Sequence, residues 1–408
     1  MTSTVNTAGL SPDELPEYPM ARDARCPFDP PPDLQATREQ GPLTTVRLWD
    51  GSTPWLVTRY EQQRRLLADP RVSADPMRPG YPSPAPVDGS SKLSFILMDD
   101  PEHARQRRMV AAPFTIKRTE ALRPAVQQIV DDRIDEMLAG PKPVDLVQEF
   151  ALPVPSLVIC ELLGVPYSDH EFFQANSNIM INRDSTVEQR AEAKGQLSGY
   201  LHDLLQHKMA DPGQDLLSGL TARIDSGELS REDAAQMGVL LLIAGHETTA
   251  NMIALGTLAL LQHPEQLTAL RETDDPALVS SAVEELLRYL HITHSGRRRV
   301  AAEDIDFDGT LIRAGDGLIM PNDIGNRDPD VFDDPDRLDI RRNPRNHVAF
   351  GFGNHQCLGQ PLARLELQVV YGTLYKRIPE LRLATDLDSI PFKHDGSVYG
   401  VYELPVTW

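Results

Sequence analysis

From Val239 to Leu261 the chain is nearly apolar, over a length sufficient to span a bilayer, and this stretch constrains the fold more than any other. His246 and Glu247 stand in its middle, followed by Thr248, Thr249 and Asn251. Charged groups at membrane depth are costly and rare. The stretch therefore reads as one long helix buried in a protein core, with a polar centre that needs a reason. Such a helix needs a large body around it, and 408 residues, 40% of them hydrophobic, can supply one.

The charge balance excludes several classes of function. Lys and Arg number 40 against 60 Asp and Glu, a formal charge of −20. So large an acidic excess argues against nucleic-acid binding and against docking on anionic lipid. Three widely spaced cysteines, Cys26, Cys160 and Cys357, suggest no disulfide framework and fit a reducing, cytoplasmic compartment. Met1 to Pro19 has neither the basic start nor the apolar core of a secretory leader, so residues 1–26 are expected to form an extended arm.

Residues 43–58 read as two strands around the Asp50-Gly51 turn, and Tyr60 to Ala68 reads as a helix. Residues 77–92 are rich in Pro, Gly and Ser, which suits a linker or a loop bordering a site. Helical patterns then follow over 101–112, 119–139, 156–163, 186–209, 230–262, 276–289 and 360–377. Ser230 with Asp233 resembles a helix start. Residues 300–320 alternate and turn at Asp308-Gly309 and around Gly315. The expectation is a single mainly α domain over 1–408, with a minor antiparallel sheet near each end.

Cys357 sits in the Gly-rich segment Phe350 to Gly359. A lone Cys is usually a small core hydrophobe. Here glycines precede it and a helix begins just after it, a setting that lowers a thiol's pKa and suits a thiolate held against a soft metal. Zinc held by Cys357, His355 and His347 is a competing reading, though no paired Cys or His motif supports it. A phosphate-binding nest is weaker, since no Walker lysine is present.

This segment resembles the haem loop of the cytochrome P-450 family, Phe-x-x-Gly-x-x-x-Cys-x-Gly. Phe350, Gly353, Cys357 and Gly359 occupy its four fixed positions, and the similarity runs from about Pro27 to Trp408. The resemblance implies that fold, with haem b between the long helix and the Cys loop and the Cys357 thiolate as axial iron ligand. Ala244 to Thr249 is similar to the family's oxygen-binding segment. Ala244 and Gly245 then lie beside haem, with Gly245 letting the helix open. Thr248 bends the helix by bonding back to the preceding turn, Glu247 and Thr248 are the catalytic proton route, and His246 points away.

His103, Arg107, Arg299 and His355 match the haem-propionate positions, while Arg297 and Arg298 read as a solvated charge run. Glu285, Arg288 and Arg337 match a buried lock that holds the haem loop. The implied activity is hydroxylation of a sizeable lipophilic molecule (macrolide, polyene, sterol-like or xenobiotic) by a monomer using O2. Two electrons come from an iron–sulfur ferredoxin and its NAD(P)H-dependent reductase. A basic patch of Arg105, Arg108, Arg364 and Lys376 is the expected docking place. By family position the pocket is expected to draw on residues 77–92 through Phe95, 172–183, Leu240, Ile243, Ala244, 292–295 and Val398. A peroxygenase, an oxidative-coupling enzyme and a haem-binding sensor are the alternatives.

Overall fold

Six helices build the site: α1 Tyr60–Ala68, α2 Glu102–Val110, α3 Pro153–Leu163, α4 Arg231–Leu261, α5 Pro276–Tyr289 and α6 Gln360–Arg377. The coordinates are a computed structural model that describes residues 12–408 except 24, 85–93, 183, 294–295 and 395. The expected arm 1–26, the stretch 77–92 and two expected pocket segments therefore lie partly outside the described residues.

The long apolar stretch is α4. Its start is fixed by Ser230, whose hydroxyl accepts the Asp233 N–H at 3.0 Å, with Glu232 and Asp233 complementing the helix dipole. By length and composition α4 is apolar enough to cross a membrane, yet 78% of its most apolar window is buried inside the fold. It is the core helix, packed on α3 and α6. Its contact with α6 is in register. The Tyr371 hydroxyl donates to the Met252 carbonyl at 2.5 Å and the Tyr375 hydroxyl to Thr257 Oγ1 at 3.1 Å. Gly256 permits this approach, because a Cβ there would lie 1.9 Å from the Tyr371 hydroxyl oxygen.

α5 begins at Asp275, which caps the Ala277 N–H at 2.9 Å, with Pro276 in the first turn. The helix expected over 119–139 is two helices, Ile116–Ala121 and Arg123–Ala139, the second opening with Pro124 in its first turn.

The strands are β1 Leu43–Thr45, β2 Trp55–Val57, β3 Val72–Ser73, β4 Val144–Asp145, β5 Arg297–Ala301, β6 Ile305–Phe307, β7 Thr310–Ile312, β8 Gly317–Met320, β9 Arg382–Leu383 and β10 Pro405–Thr407. The expected separate sheets at the two ends are joined. One five-stranded sheet has the order β1-β2-β8-β5-β3, and its β2–β8 pair is parallel, with Trp55 beside Leu318. The reason lies in β8: Gly317-Leu318-Ile319-Met320 is buried on both faces, as a strand inside a sheet requires. A second sheet, β4-β10-β9, gathers the C-terminus, and β6–β7 is a hairpin turning at Asp308 and Gly309, both with φ above +50°. The described part of the N-terminal arm is packed down: Tyr18 and Met20 join a core with Leu34 and Val46.

Candidate active site

The Cys loop is held by its own backbone and by its neighbours. The Cys357 N–H donates to the Phe350 carbonyl at 2.8 Å and the Gly351 N–H to Val348 at 2.8 Å. Gly353 has φ +73°, and a Cβ there would meet the Leu67 carbonyl of α1 at 2.3 Å, so only glycine lets α1 approach. Asn322 and Asn326 clamp Val348 from below, each through a 2.8 Å hydrogen bond. Cys357 itself forms part of the wall of a large, mostly apolar cavity shared with α3, α4 and α6. Burial pushes its thiol up, against the opposing pull of Arg297, the Gly359 N–H and Arg107. This reverses the sequence expectation of a lowered thiol, because desolvation outweighs the helix terminus and the cations. A bound metal cation restores the thiolate, since a coordinating thiol is deprotonated outright.

A buried ion network stands behind the loop. Arg288 forms a pair of hydrogen bonds with Glu285, at 2.7 and 2.8 Å, and both side chains are fully buried. Arg288 also donates to the carbonyls of Asn326, Pro335 and Arg337. The sequence expectation that the Arg337 side chain completes this lock is corrected. Arg337 is exposed and offers only its carbonyl, whereas Arg342 reaches Glu285 at 3.2 Å. Next door, Glu284 takes Arg364 at 2.6 Å and the His347 Nε2–H at 3.0 Å. Burial raises the Glu284 carboxyl, but these two partners outweigh it and leave it at about 2. His347 Nδ1 accepts the Ala349 N–H at 3.2 Å, so both ring nitrogens are engaged and the zinc reading loses its third ligand.

The cavity presents cations around Cys357. Arg107 faces it while donating to the Gln356 carbonyl at 2.6 Å, and Arg297 faces it while donating to Ala349 at 3.2 Å. His103 gives its Nδ1–H to Asp100 at 2.9 Å and stacks on His355 with centroids 4.0 Å apart. Burial, with Arg299, His103 and Arg107 nearby, pushes the His355 imidazole down to about 3. Two buried nitrogens, Arg297 Nε in the cavity wall and His103 Nε2 outside it on the ring stacked against His355, have no hydrogen-bond partner among the described residues. A buried polar atom without a partner is costly unless something else satisfies it. An apolar slot walled by a thiol and edged by unsatisfied nitrogens fits a flat, largely apolar group bearing carboxylates, which is the shape and chemistry of haem.

Arg297 is the residue the sequence reading missed. Arg297 and Arg299 share one face of β5, while Arg298 turns away to the Pro82 carbonyl at 2.7 Å. Strand alternation is the signal that separates them. Arg299 lies beside His355 and Tyr81, outside the cavity wall, and donates to the Arg298 carbonyl.

Along α4, Ala244, Gly245, Thr248 and Thr249 face the cavity. The Thr248 hydroxyl donates to the Ala244 carbonyl at 2.8 Å, as expected of a threonine bonding back. α4 is nevertheless one uninterrupted helix, and Gly245 admits α3: a Cβ there would lie 2.7 Å from Ile159. His246 turns away, its Nδ1–H donating to Leu242 at 2.9 Å and its ring edge against Phe173. Glu247 also departs from expectation. It is 1% exposed and lies outside the cavity wall, with its carboxylate 3.3 Å from Asn251 Nδ2 and 3.9 Å from Lys393 Nζ. Of the expected substrate contacts, Phe95, Leu240, Ala244, Ile292 and Thr293 are in the wall; Ile243, Val398 and helix His170–Ile181 are not.

Of the expected basic patch, Arg105 pairs with Glu102, Arg364 with Glu284 and Lys376 with Asp274. Arg108 is exposed, and no ion pair involves it among the described residues.

Comparison with known proteins agrees with this geometry. The family model for cytochrome P450 matches residues 35–378. Cytochrome P450 GfsF of Streptomyces halstedii is 55% identical over 100% of this chain and 99% of its own length. The 20-oxo-5-O-mycaminosyltylactone 23-monooxygenase of Streptomyces fradiae is 44% identical over 96% of this chain and 92% of its own. The crystal structure of the mycinamicin VIII C21 methyl hydroxylase MycCI of Micromonospora griseorubida, bound to mycinamicin VIII, is 43% identical in sequence. It superposes with a TM-score of 0.91 over 97% of this chain and all of that one. A thiol at the cavity wall, unsatisfied nitrogens around it and end-to-end similarity converge: haem is the cofactor, Cys357 its axial thiolate, and this oxidoreductase belongs to the cytochrome P450 monooxygenase family.

Proposed function

We propose that this enzyme hydroxylates a sizeable lipophilic small molecule, with a macrolide the first choice ahead of polyene, sterol-like and xenobiotic substrates. One observation carries this reading: a large cavity, mostly apolar, runs from Phe95 and Ile292 to Thr248 and Cys357. Such a wall binds by apolar burial and orients its ligand through a few polar groups. The names of two relatives, a mycaminosyltylactone monooxygenase and a mycinamicin hydroxylase, support the choice of macrolide.

When bound, haem supplies oxygen activation, and the rest is done by this chain. Cys357 would hold the iron, with Phe350, Gly353 and Gly359 shaping the loop around the thiolate. Arg107, Arg297, His103 and His355 would hold the propionates, with Arg299 beside His355. Ala244 and Gly245 would present a wall of small residues to the group. Thr248 breaks its bond to the Ala244 carbonyl to present its hydroxyl to the oxygen site. Glu247 replenishes that proton, turning from Asn251 and Lys393 toward Thr248.

The electron donor in this reading is an iron–sulfur ferredoxin served by an NAD(P)H-dependent reductase, since the sequence holds no flavin or cluster motif. Arg108 is the cation open to it. The chain works as a single-domain, cytoplasmic monomer.

The test is turnover with reduced ferredoxin on a panel of macrolides, polyenes and sterols. We expect a hydroxylated macrolide. In Thr248→Ala, haem content should stay constant while product per electron falls by about tenfold and peroxide rises. Equal coupling in the variant would remove Thr248 from the route. Turnover by peroxide alone would favour the peroxygenase.

A further inference from the structure

The two ends of the chain meet behind the cavity, at a buried arginine that takes no part in holding haem or moving a proton. Arg22 lies in the N-terminal arm with its side chain 1% exposed. Its guanidinium stands over the ring of Tyr399, with the guanidinium carbon 4.4 Å from the ring centroid. One terminal nitrogen donates to the Asp29 carbonyl at 2.6 Å. The other reaches Asp323, in the short helix Asn322–Gly325, at 3.4 Å. A buried guanidinium is tolerated where its charge and its N–H groups are met, and an aromatic face with a carboxylate beside it meets both. Arg22, Asp29, Asp323 and Tyr399 all lie outside the cavity wall.

Two short paths lead from this guanidinium to neighbouring residues of the wall. The first runs through Tyr399. Its N–H donates to the Ile292 carbonyl at 2.7 Å, and Val398 before it is bridged to Thr293. Its hydroxyl is tied on the other side to the Pro27 carbonyl at 3.0 Å. The second runs through Asp323, whose charge acts on His291. Burial, opposed by Asp323 and helped by Arg22, pushes the His291 imidazole down to about 4. The ring is therefore neutral at pH 7, and its Nε2–H donates to the Thr293 carbonyl. Ile292 and Thr293 both stand in the cavity wall. The long strand β5 begins only at Arg297, so the wall at 291–293 is braced by these contacts from behind.

We propose that Arg22 is a positioning residue for the substrate: through Tyr399 and Asp323 it fixes Ile292 and Thr293 in the wall, and so sets how the cavity orients what it binds. This rests on the reading that the substrate lies along that wall, and it places a determinant of orientation outside the cavity. Lysine cannot do the same. A single ammonium cannot lie over Tyr399 and also reach both the Asp29 carbonyl and Asp323, whereas the planar fork of arginine does all three. The ring and the amide of Tyr399 are the linking parts, since the ring face meets Arg22 and the amide meets Ile292.

The experiment uses the haem-loaded enzyme and two ligands that bind through the iron, imidazole and 1-octylimidazole, each followed by the shift of the haem absorption band. Imidazole reports the iron alone, while the octyl tail must also lie along the wall. In Arg22→Lys, and equally in Tyr399→Leu, 1-octylimidazole should bind about fivefold more weakly while imidazole binds as before. Backbone amide exchange over residues 290–293 should quicken in the same two variants. Tyr399→Phe keeps ring and amide and should bind both ligands as the wild type does. Glu284→Gln, whose loss of stability lies behind the Cys loop, controls for general loosening and should leave the ratio of the two affinities unchanged. An unchanged ratio in Arg22→Lys and Tyr399→Leu overturns the proposal. The same change in Glu284→Gln also overturns it, by reducing Arg22 to one more contributor to stability. Should Arg22→Lys fail to fold around haem, Tyr399→Leu reads the same connection. Neither imidazole depends on the natural substrate, so a failure of the macrolide reading on the substrate panel leaves this test standing.

Discussion

The two sides of the cavity treat buried charge in opposite ways. Behind the Cys loop, Glu284, Glu285, Arg288, Arg342, Arg364 and His347 are paired at 2.6 to 3.2 Å. In the cavity wall Arg297 Nε and Glu366 Oε2, and next to it His103 Nε2, are buried with no partner among the described residues. The first region spends its polar groups on holding a loop in one geometry. The second keeps them in reserve for what enters the cavity. Unsatisfied buried groups lower stability unless a ligand or a reaction uses them, and those of the cavity wall are placed for such a use. Substitutions behind the loop should therefore be read in stability, and substitutions at the cavity in haem retention and coupling.

The largest effect is expected at Glu285. Glu285→Ala strands Arg288 at the centre of the network, and removing one member of a buried pair costs roughly 3–5 kcal/mol. Urea unfolding should show that loss, accompanied by release of haem. The comparison breaks if Glu366→Gln costs as much, because a group without partners has no pairing to lose.

Glu284 sharpens the comparison through pH. Its carboxyl lies at about 2 instead of the ordinary 4.5, because His347 and Arg364 outweigh the cost of burial. A carboxyl depressed in the folded state stabilises above its unfolded value and loses that contribution as pH falls through its folded value. The stability gap between wild type and Glu284→Gln should be full above about pH 4.5, on the order of 3 kcal/mol, and should close toward about pH 2. A gap that does not change between pH 6 and pH 3, judged against the approximate midpoint of that window, would mean that packing and not charge is what Glu284 contributes.

How much of this was legible in the sequence depended on how far apart the partners lie. α1 and α5 match their expected bounds residue for residue, and α4 does so within a residue at each end, because caps, prolines and apolar runs are local signals. The Cys loop was readable for the same reason, with every fixed residue inside ten positions. The joining of β2 to β8 was not legible, since strand alternation says nothing about which distant edge will be paired. Helices Pro32–Gln40 and Leu216–Asp225 are short and passed unnoticed. Arg297 was lost in a run of three arginines that only a strand's alternation sorts. Glu247 sat at the expected place in sequence, but the direction of its side chain is a tertiary fact set by Asn251 and by Lys393 from a distant loop.

Arg337 and Arg342 give the smallest expected effects and the finest test of that lesson. Both lie in the same meander, and motif position alone favours Arg337. The geometry favours Arg342: its guanidinium reaches Glu285 at 3.2 Å and the carbonyls of Asp333, Asp334 and Arg337. Its side chain is 15% exposed, so screening by water is limited. Hydrogen bonds to charged groups contribute about 1.5–3 kcal/mol, and Arg342→Ala should lose an amount in that range. Arg337 contributes a backbone carbonyl that survives truncation of the side chain, and its exposed side chain should be worth less than about 0.5 kcal/mol. Thermal unfolding of the two variants side by side separates the readings. Equal losses would return the third place in the lock to Arg337, whereas a loss confined to Arg342→Ala establishes that the lock is closed by the guanidinium of Arg342.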